Sequence, residues 1–176
     1  MSDDRLPDDV LTAESDQEGL RIVRILDAPR EEVFRAWTEP EAFARWFGEH
    51  GSTVPVDAAT MDVRPGGAWR AVMIIGPDSE KVFSGHYREV DEPAHLVLTI
   101  TDLEPPDPNA YEVLTVDLDD LGDGRTQMTF TQRGGNVPPD LYEMTLRGWL
   151  VFFDRQAELL KGRHDTDLKA RHDTDT

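Results

Sequence analysis

The chain has 176 residues, of which 38% are hydrophobic and 8% aromatic, and this length and composition suit one domain with one core. It carries 36 acidic and 18 basic residues, a net charge of −18, so we expect it to repel nucleic acid and anionic membranes. There is no cysteine, which excludes disulfides, thiolate nucleophiles and thiolate metal ligands.

The N-terminal residues 1–19 are acidic and show no hydrophobic periodicity. We expect a loose arm here, or one that folds back as part of a sheet edge. The opening letters MSDDRLPDDV lack the apolar core of a signal peptide. No apolar run approaches the ~20 residues that span a bilayer, so a cytoplasmic location is the simplest expectation.

Residues 27–48 follow a first strand over residues 20–26 and read as two short helices in tandem. Pro29 fits the first turn of the first helix, where its missing N–H costs nothing. Residues 38–41 fit a capping box at the start of the second. At helical spacing, the two helices present these apolar residues: Val33, Phe34, Trp37, Phe43, Trp46 and Phe47.

Short strand-like segments separated by turn signals continue from residue 51 to residue 132. The clearest strand, residues 68–75, is followed by a Gly-Pro-Asp turn. In residues 111–118, Glu112 shares a face with Leu114, Val116 and Leu118. Regular short strands with turns between them predict one antiparallel sheet.

From residue 141 the hydrophobic period becomes helical, which predicts a long and heavily buried C-terminal helix. Gly162 is a plausible C-cap for this helix. Residues 163–176 then repeat a polar pentapeptide, RHDTD, and we expect them to form a disordered tail. The chain therefore divides into an arm (1–19), a domain (20–162) and a tail (163–176).

The order strand, helix pair, six strands and long helix resembles the helix-grip fold of the SRPBCC superfamily (START-like, Bet v allergen-like). More narrowly, it resembles bacterial homologues of the activator of heat-shock-protein-ninety ATPase. The resemblance implies an α+β fold, in which a curved antiparallel sheet of about seven strands wraps a long C-terminal helix. The residues that carry it are Ala28, Pro29, Val33, Phe34, Ala36, Trp37, residues 38–41, Trp46, Phe47, residues 64–67, Trp69, Arg70, Gly85, Tyr87, Glu89, Val90, Gly148 and Trp149.

In that superfamily the gap between sheet and helix is a ligand cavity, so the resemblance implies a hydrophobic or aromatic small molecule as partner. Ordinary core packing is the commoner role for each apolar wall residue. The inward strand face stays open, because a one-residue slip exchanges the two faces. The candidate lining is Trp46, Phe47, Trp69, Met73, Phe83, His86, Tyr87, Leu98, Tyr111, Phe130, Gln132, Met144, Trp149, Phe152 and Phe153.

Two other functions stay open beside small-molecule binding. One is an enzyme of the polyketide cyclase or aromatase kind, with Arg70, His86, Tyr87 and Arg88 as candidates to move protons. The other is an interaction domain that activates a chaperone ATPase. The resemblance is also compatible with a homodimer. No HExxH, Gly-x-Ser-x-Gly or phosphate loop is present, so we expect no metal or cofactor, and the catalytic residues are unknown.

Overall fold

The computed structural model describes residues 6–134 and 136–173, with side chains up to residue 162. Within this part of the chain, an eight-stranded antiparallel sheet faces three α-helices. The helices are α1 (Arg30–Thr38), α2 (Pro40–Trp46) and α3 (Leu141–Asp173). The strands are β1 (Val10–Ser15), β2 (Gly19–Leu26), β3 (Ala59–Met61), β4 (Ala68–Gly76), β5 (Ser79–Asp91), β6 (His95–Ile100), β7 (Glu112–Asp120) and β8 (Thr126–Arg133).

The strand order in the sheet is β1-β2-β8-β7-β6-β5-β4-β3. Register shifts interrupt the β1–β2, β4–β5 and β5–β6 pairs, and such irregularities bend strands and increase their twist. Helix α3 lies against the inner face, where the ring centroids of Phe130 in β8 and Trp149 in α3 are 4.6 Å apart. This arrangement is the helix-grip α+β fold that the sequence predicted.

The sheet has one strand more than predicted, because the N-terminal segment supplies β1. Val10–Ser15 pairs with β2 in an antiparallel register that sets Ala13 opposite Ile22. The arm therefore folds back as a sheet edge over these residues, and its first residues, 1–5, lie outside the described chain.

The helix boundaries correct two details of the sequence prediction. Thr38 does not cap α2; its hydroxyl donates to Phe34 O at 2.8 Å, and the N-cap of α2 is Glu39, without a side-chain cap bond. Helix α3 does not end at Gly162 but continues to Asp173. One glycine costs a helix only about 1 kcal/mol, which neighbouring residues can offset. Residues 174–176 of the predicted tail lie outside the described chain, and the division into arm, domain and tail stays a prediction.

The core lies where α1 and α2 meet the middle of α3 and the inner face of the sheet. Trp37, Trp46, Phe130 and Phe153 are all at most 1% exposed. The ring of Trp37 is 4.8 Å from that of Trp46 and 5.9 Å from that of Phe130. Aromatic packing of this density fills the central part of the gap, so any open space must lie elsewhere along α3.

The structure shows which face of β4 and β5 points toward the core. Trp69, Ala71 and Met73 of β4 are buried, and Trp69 lies opposite Gly85 of β5 in the register. His86 lies on the other face and is exposed. No helix of the described residues is long and apolar enough to cross a membrane.

Candidate functional site

A cavity of about 390 Å³ lies between the sheet and the N-terminal turns of α3. Small-ligand pockets begin at about 300 Å³, so the cavity is large enough for a compact organic molecule. The sheet strands β5 to β8, the loops beside them, the end of α2 and helix α3 all contribute. The lining residues are Phe47, Glu49, Lys81, Phe83, Ile100, Thr101, Asp102, Leu103, Ala110, Glu112, Gln132, Asn136, Val137, Met144, Thr145, Gly148, Trp149 and Phe152.

Four aromatic side chains form a continuous wall on one side of the cavity. Phe47 stands at the centre: its ring centroid is 5.2 Å from that of Phe83, 5.2 Å from that of Phe152 and 6.1 Å from that of Trp149. These contacts are edge-on, the geometry that aromatic rings prefer. Phe47 follows α2 directly, so the helix pair places an aromatic ring between the sheet and α3.

Helix α3 leaves space at Gly148 in this wall. A Cβ atom at this position would meet no heavy atom within 4 Å, apart from the helix's own backbone. Trp149 and Phe152 on the same helix already contribute rings. The missing side chain at Gly148 therefore helps to keep the cavity open.

Two polar side chains, from the adjacent strands β7 and β8, line the side of the cavity that the sheet forms. Gln132 of β8 lies opposite Leu114 of β7, and its Oε1 accepts a hydrogen bond of 2.7 Å from Trp149 Nε1. Glu112 is the first residue of β7 and is only 4% exposed. Its Oε1 accepts from the Val137 backbone N–H at 3.0 Å and from the Tyr142 hydroxyl at 2.7 Å. These contacts fix both side chains against α3 and the loop before it.

The mouth of the cavity carries charge and exposed apolar surface. Lys81 Nζ is 3.0 Å from Asp102 Oδ2 and 5.4 Å from the centroid of the Phe83 ring. Leu103 and Met144 are 45% and 68% exposed. A ligand entering here would pass an ion pair and two exposed apolar side chains.

The structure brings part of the predicted lining to the cavity and the rest elsewhere. The predicted residues that line it are Phe47, Phe83, Gln132, Met144, Trp149 and Phe152. The predicted residues that instead pack in the buried core are Trp46, Trp69, Met73, Leu98, Phe130 and Phe153. These six fill the gap between the helix pair, the sheet and α3, the alternative role that apolar side chains most often take.

Two tryptophans are held in the core by hydrogen bonds to the backbone. The indole of Trp69 passes over Gly85 and donates to Thr99 O of β6 at 2.8 Å. The indole of Trp46 donates to Ala36 O of α1 at 2.7 Å. A buried indole N–H needs such a partner, and neither of these two tryptophans lines the cavity.

The remaining predicted lining residues lie away from the cavity. His86 is exposed and Tyr111 is half-buried, and their ring centroids are 6.0 Å apart on the outer side of the sheet. Tyr87 is 1% exposed. Burial, with a smaller effect from Asp62, raises the pKa of its hydroxyl above the usual range, so this group stays protonated.

None of the four candidate enzyme residues lines the cavity. Arg70, His86 and Arg88 are exposed, while Tyr87 is buried in the core. General acid–base catalysis needs its groups within hydrogen-bond reach of one substrate. Within the described residues, no group of three or more His, Asp or Glu side chains is arranged to hold a metal ion.

Sequence reasoning missed Glu112 and the groups around it. The sequence did contain a pattern that could have identified Glu112, because this carboxylate shares an otherwise apolar strand face with Leu114, Val116 and Leu118. An acid in that position is either paired or functional. Lys81 and Asp102 carried no comparable signal, because they are ordinary charged residues of a strand and a loop.

The fold and the cavity together define a helix-grip protein of the SRPBCC type. The family model described as "Activator of Hsp90 ATPase homolog 1-like protein" matches residues 27–161, and the chain belongs to this family. No curated protein matches the chain.

Solved structures of bacterial proteins have the same fold. A protein from Nitrosomonas europaea is 26% identical, with a TM-score of 0.70, over 84% of this chain and 96% of its own. One from Chromobacterium violaceum is 25% identical, with a TM-score of 0.69, over 81% of this chain and 96% of its own. An AHSA1 protein from Silicibacter pomeroyi is 21% identical, with a TM-score of 0.71, over 83% and 99%.

Proposed function

We propose that the protein binds a small hydrophobic or aromatic molecule in the cavity between the sheet and α3. The observation that carries the proposal is the cavity of about 390 Å³, with the ring wall of Phe47, Phe83, Trp149 and Phe152 on one side. An apolar wall with a few fixed polar groups is the usual composition of a small-ligand site. Gln132 and Glu112 supply those polar groups.

The expected affinity follows from the area that a ligand can bury. A bicyclic aromatic compound buries roughly 150–250 Å² of apolar surface. At about 25 cal/mol per Å² this gives roughly 4–6 kcal/mol before the cost of association is subtracted. Taken alone, this burial corresponds to dissociation constants between about 40 µM and about 1 mM; the cost of association weakens binding, and a polar contact strengthens it.

The experiment is a fluorescence titration with prodan, a neutral naphthalene dye without a hydrogen-bond donor. Its emission shifts to the blue when it leaves water. The wild type is compared with Gly148→Leu, which places a side chain in the space at the cavity wall. The matched control is Gly162→Leu on the same helix, outside the cavity lining and also open at the Cβ position.

We expect a saturable blue shift with the wild type and with Gly162→Leu. With Gly148→Leu we expect affinity to fall about tenfold or more, because the new side chain occupies the ligand's volume. An equal affinity in all three proteins would place the dye outside the cavity. No saturable binding to the wild type up to about 1 mM dye would contradict the proposal.

The family match favours a second candidate, a role as partner of a chaperone ATPase. Its test is the ATPase rate of the bacterial heat-shock-protein-ninety homologue with increasing amounts of this protein. Saturable stimulation would support the role, and an unchanged rate at saturating concentration would exclude it. Native mass spectrometry of the same sample would report whether the protein is a monomer or the homodimer that we also propose.

A further inference from the structure

Glu112 is a buried carboxylate in the cavity lining, and one of its oxygens lacks a donor. Its Oε1 accepts from Val137 N–H and the Tyr142 hydroxyl, while Oε2 is shielded from solvent. No residue in the described part of the chain donates a hydrogen bond to Oε2. A buried carboxylate oxygen without a partner costs free energy, so the site is short of one donor.

Glu112 lines the cavity, so a donor carried by a bound molecule would approach its carboxylate from that side. On the other side, Oε2 lies so close to Gly134 that a Cβ atom there would overlap it. The terminal torsion of a glutamate side chain is soft, so the planar carboxylate can turn as one unit and bring Oε2 from Gly134 toward the cavity, with Oε1 moving at the same time. A donor carried by a bound molecule can therefore supply the hydrogen bond that the carboxylate lacks.

The charge of the lining favours a cation over an anion. Among the described lining residues, Glu49, Asp102 and Glu112 are acidic and Lys81 is basic. Lys81 is paired with Asp102 at 3.0 Å, which leaves the negative charge in excess. The chain as a whole carries −18, which attracts cations and repels anions at longer range.

The aromatic wall can also accept a cation. Lys81 Nζ already lies 5.4 Å from the centroid of the Phe83 ring, within the range of a cation–π contact. Phe47, Trp149 and Phe152 present further rings to the same space. An organic ammonium group and its apolar body are therefore both compatible with this wall.

We infer that the cavity binds an amphipathic ammonium compound, with an aromatic or aliphatic body against the ring wall and a protonated amine on Glu112. The inference rests on the proposed function, because it names the ligand class for the same cavity. The amine donates to Oε2 and neutralises the buried charge. An alcohol of the same shape can donate but brings no charge, and a carboxylate is repelled.

The experiment displaces prodan with three compounds of nearly equal size: naphthylethylamine, naphthylethanol and naphthylacetate. At neutral pH the first is a cation, the second is neutral and the third is an anion. We expect the amine to bind about tenfold or more tightly than the alcohol, because hydrogen bonds to charged groups are the stronger ones. The anion should bind most weakly.

The variant is Glu112→Gln, which keeps the shape of the side chain and an acceptor for Tyr142 and Val137. We expect prodan binding to persist and the amine to lose its preference over the alcohol. The control is Glu41→Gln, which changes the net charge equally at an exposed position of α2 outside the cavity. This control should keep the full preference for the amine.

The outcomes separate the two proposals. If prodan binds to the wild type and the alcohol or the carboxylate competes as well as the amine, the inference is wrong and the proposed function stands. If none of the four compounds binds, both fail. If Glu112→Gln does not fold, the ranking of the three competitors on the wild type still decides the inference.

Discussion

At the residue scale, two surface carboxylates determine the charge state of His95. Its Nε2 lies 2.7 Å from Glu89 Oε2, and its Nδ1 lies 2.6 Å from Asp117 Oδ1. His95 begins β6, so its neighbours come from the strands on both sides. A protonated imidazole donates from both nitrogens. The hydrogen bond to Glu89 and then that to Asp117 raise the pKa of His95, while partial burial lowers it by less.

A raised pKa in the folded state makes stability depend on pH. The unfolded histidine titrates near pH 6.5, so the stabilising contribution of His95 is fully present below that pH. It is lost as pH rises through the higher folded pKa. We therefore expect the difference in unfolding free energy between wild type and His95→Gln to be largest near pH 5–6 and to shrink above neutrality.

Urea titrations of the two proteins at a series of pH values measure this difference. Glu89→Gln removes the stronger partner, so the decline in this protein should move to lower pH. A wild-type advantage that does not change between about pH 5 and about pH 9 would contradict the assignment of His95 as the titrating group.

At the element scale, Gly85 allows a tryptophan to cross a strand. Trp69 of β4 lies opposite Gly85 of β5, and its indole donates to Thr99 O of β6. A Cβ at residue 85 would overlap Thr99 O and stand 2.7 Å from Trp69 Nε1. Because residue 85 has no side chain, the Trp69 indole can cross β5 and link β4 to β6 through its hydrogen bond. In this position the large indole stays out of the cavity.

We expect Gly85→Ala to lower the free energy of unfolding by about 2 kcal/mol or more, because overpacking against fixed backbone forces strands apart. The control is Gly76→Ala at the end of β4, where a Cβ would meet nothing within 4 Å. That change should stay within about 0.5 kcal/mol. Urea midpoints followed by tryptophan fluorescence measure both, and equal midpoints for Gly85→Ala and wild type would contradict the close crossing.

Helix α3 shows how one element serves both the core and the cavity. Phe153 is fully buried against Phe130 of the sheet, while Phe152 and Gly148 face the cavity. Near the middle of the helix, Asp154 Oδ1 lies 2.7 Å from Nη1 of Arg24 in β2. Arg24 is 4% exposed and also pairs with Asp9 at 2.9 Å. The core contacts and these ion pairs fix α3 on the sheet, so the cavity between them is held open.

At the scale of the whole molecule, the excess of acid is the dominant electrostatic property. The 36 acidic and 18 basic residues leave a net charge of −18 on one small domain. Like charges at this density oppose the compact state, and salt screens them. Local ion pairs are also screened, but exposed pairs contribute little to stability.

We expect the melting temperature to rise as ionic strength increases from about 10 mM to about 500 mM, because the screening length falls from about 30 Å to below 8 Å. Sodium chloride and potassium chloride should give the same curve, since screening does not depend on the identity of the cation. Differential scanning calorimetry in both salts measures this. A melting temperature that falls with salt would show that ion pairs outweigh the repulsion.

Much of the architecture could be read from local pattern. Aromatic spacing in residues 27–48, period-two alternation in the strands and the helical period from residue 141 predicted the elements and their order. These features depend on side-chain periodicity, which is written in the chain. The sequence left open whether the N-terminal arm pairs as a sheet edge, and the continuation of α3 past Gly162 was not visible, because both depend on contacts or on the free-energy balance of neighbouring residues.

The candidate site could be predicted only in part. Phe47, Trp149 and Phe152 were assigned to the cavity and do line it. Trp69 and Phe130 have equally apolar surroundings in the sequence but pack in the core. No local feature of the sequence distinguishes the aromatic residues that line the cavity from those that pack in the core. The difference is made by Gly85 beneath the Trp69 indole and by the rings of α1 and α3 around Phe130.

The sequence by itself determined the order of the predicted elements and the acidic charge, which follow from periodicity and composition, and it indicated the family through the resemblance of its motifs. Only the tertiary structure decided which aromatic side chains fill the core and which leave a cavity. It also brought Glu112, Tyr142 and the Val137 backbone together across a separation of 25–30 residues. The physical reason is that burial and hydrogen bonding depend on distances between elements, which only the packed sheet and helix define.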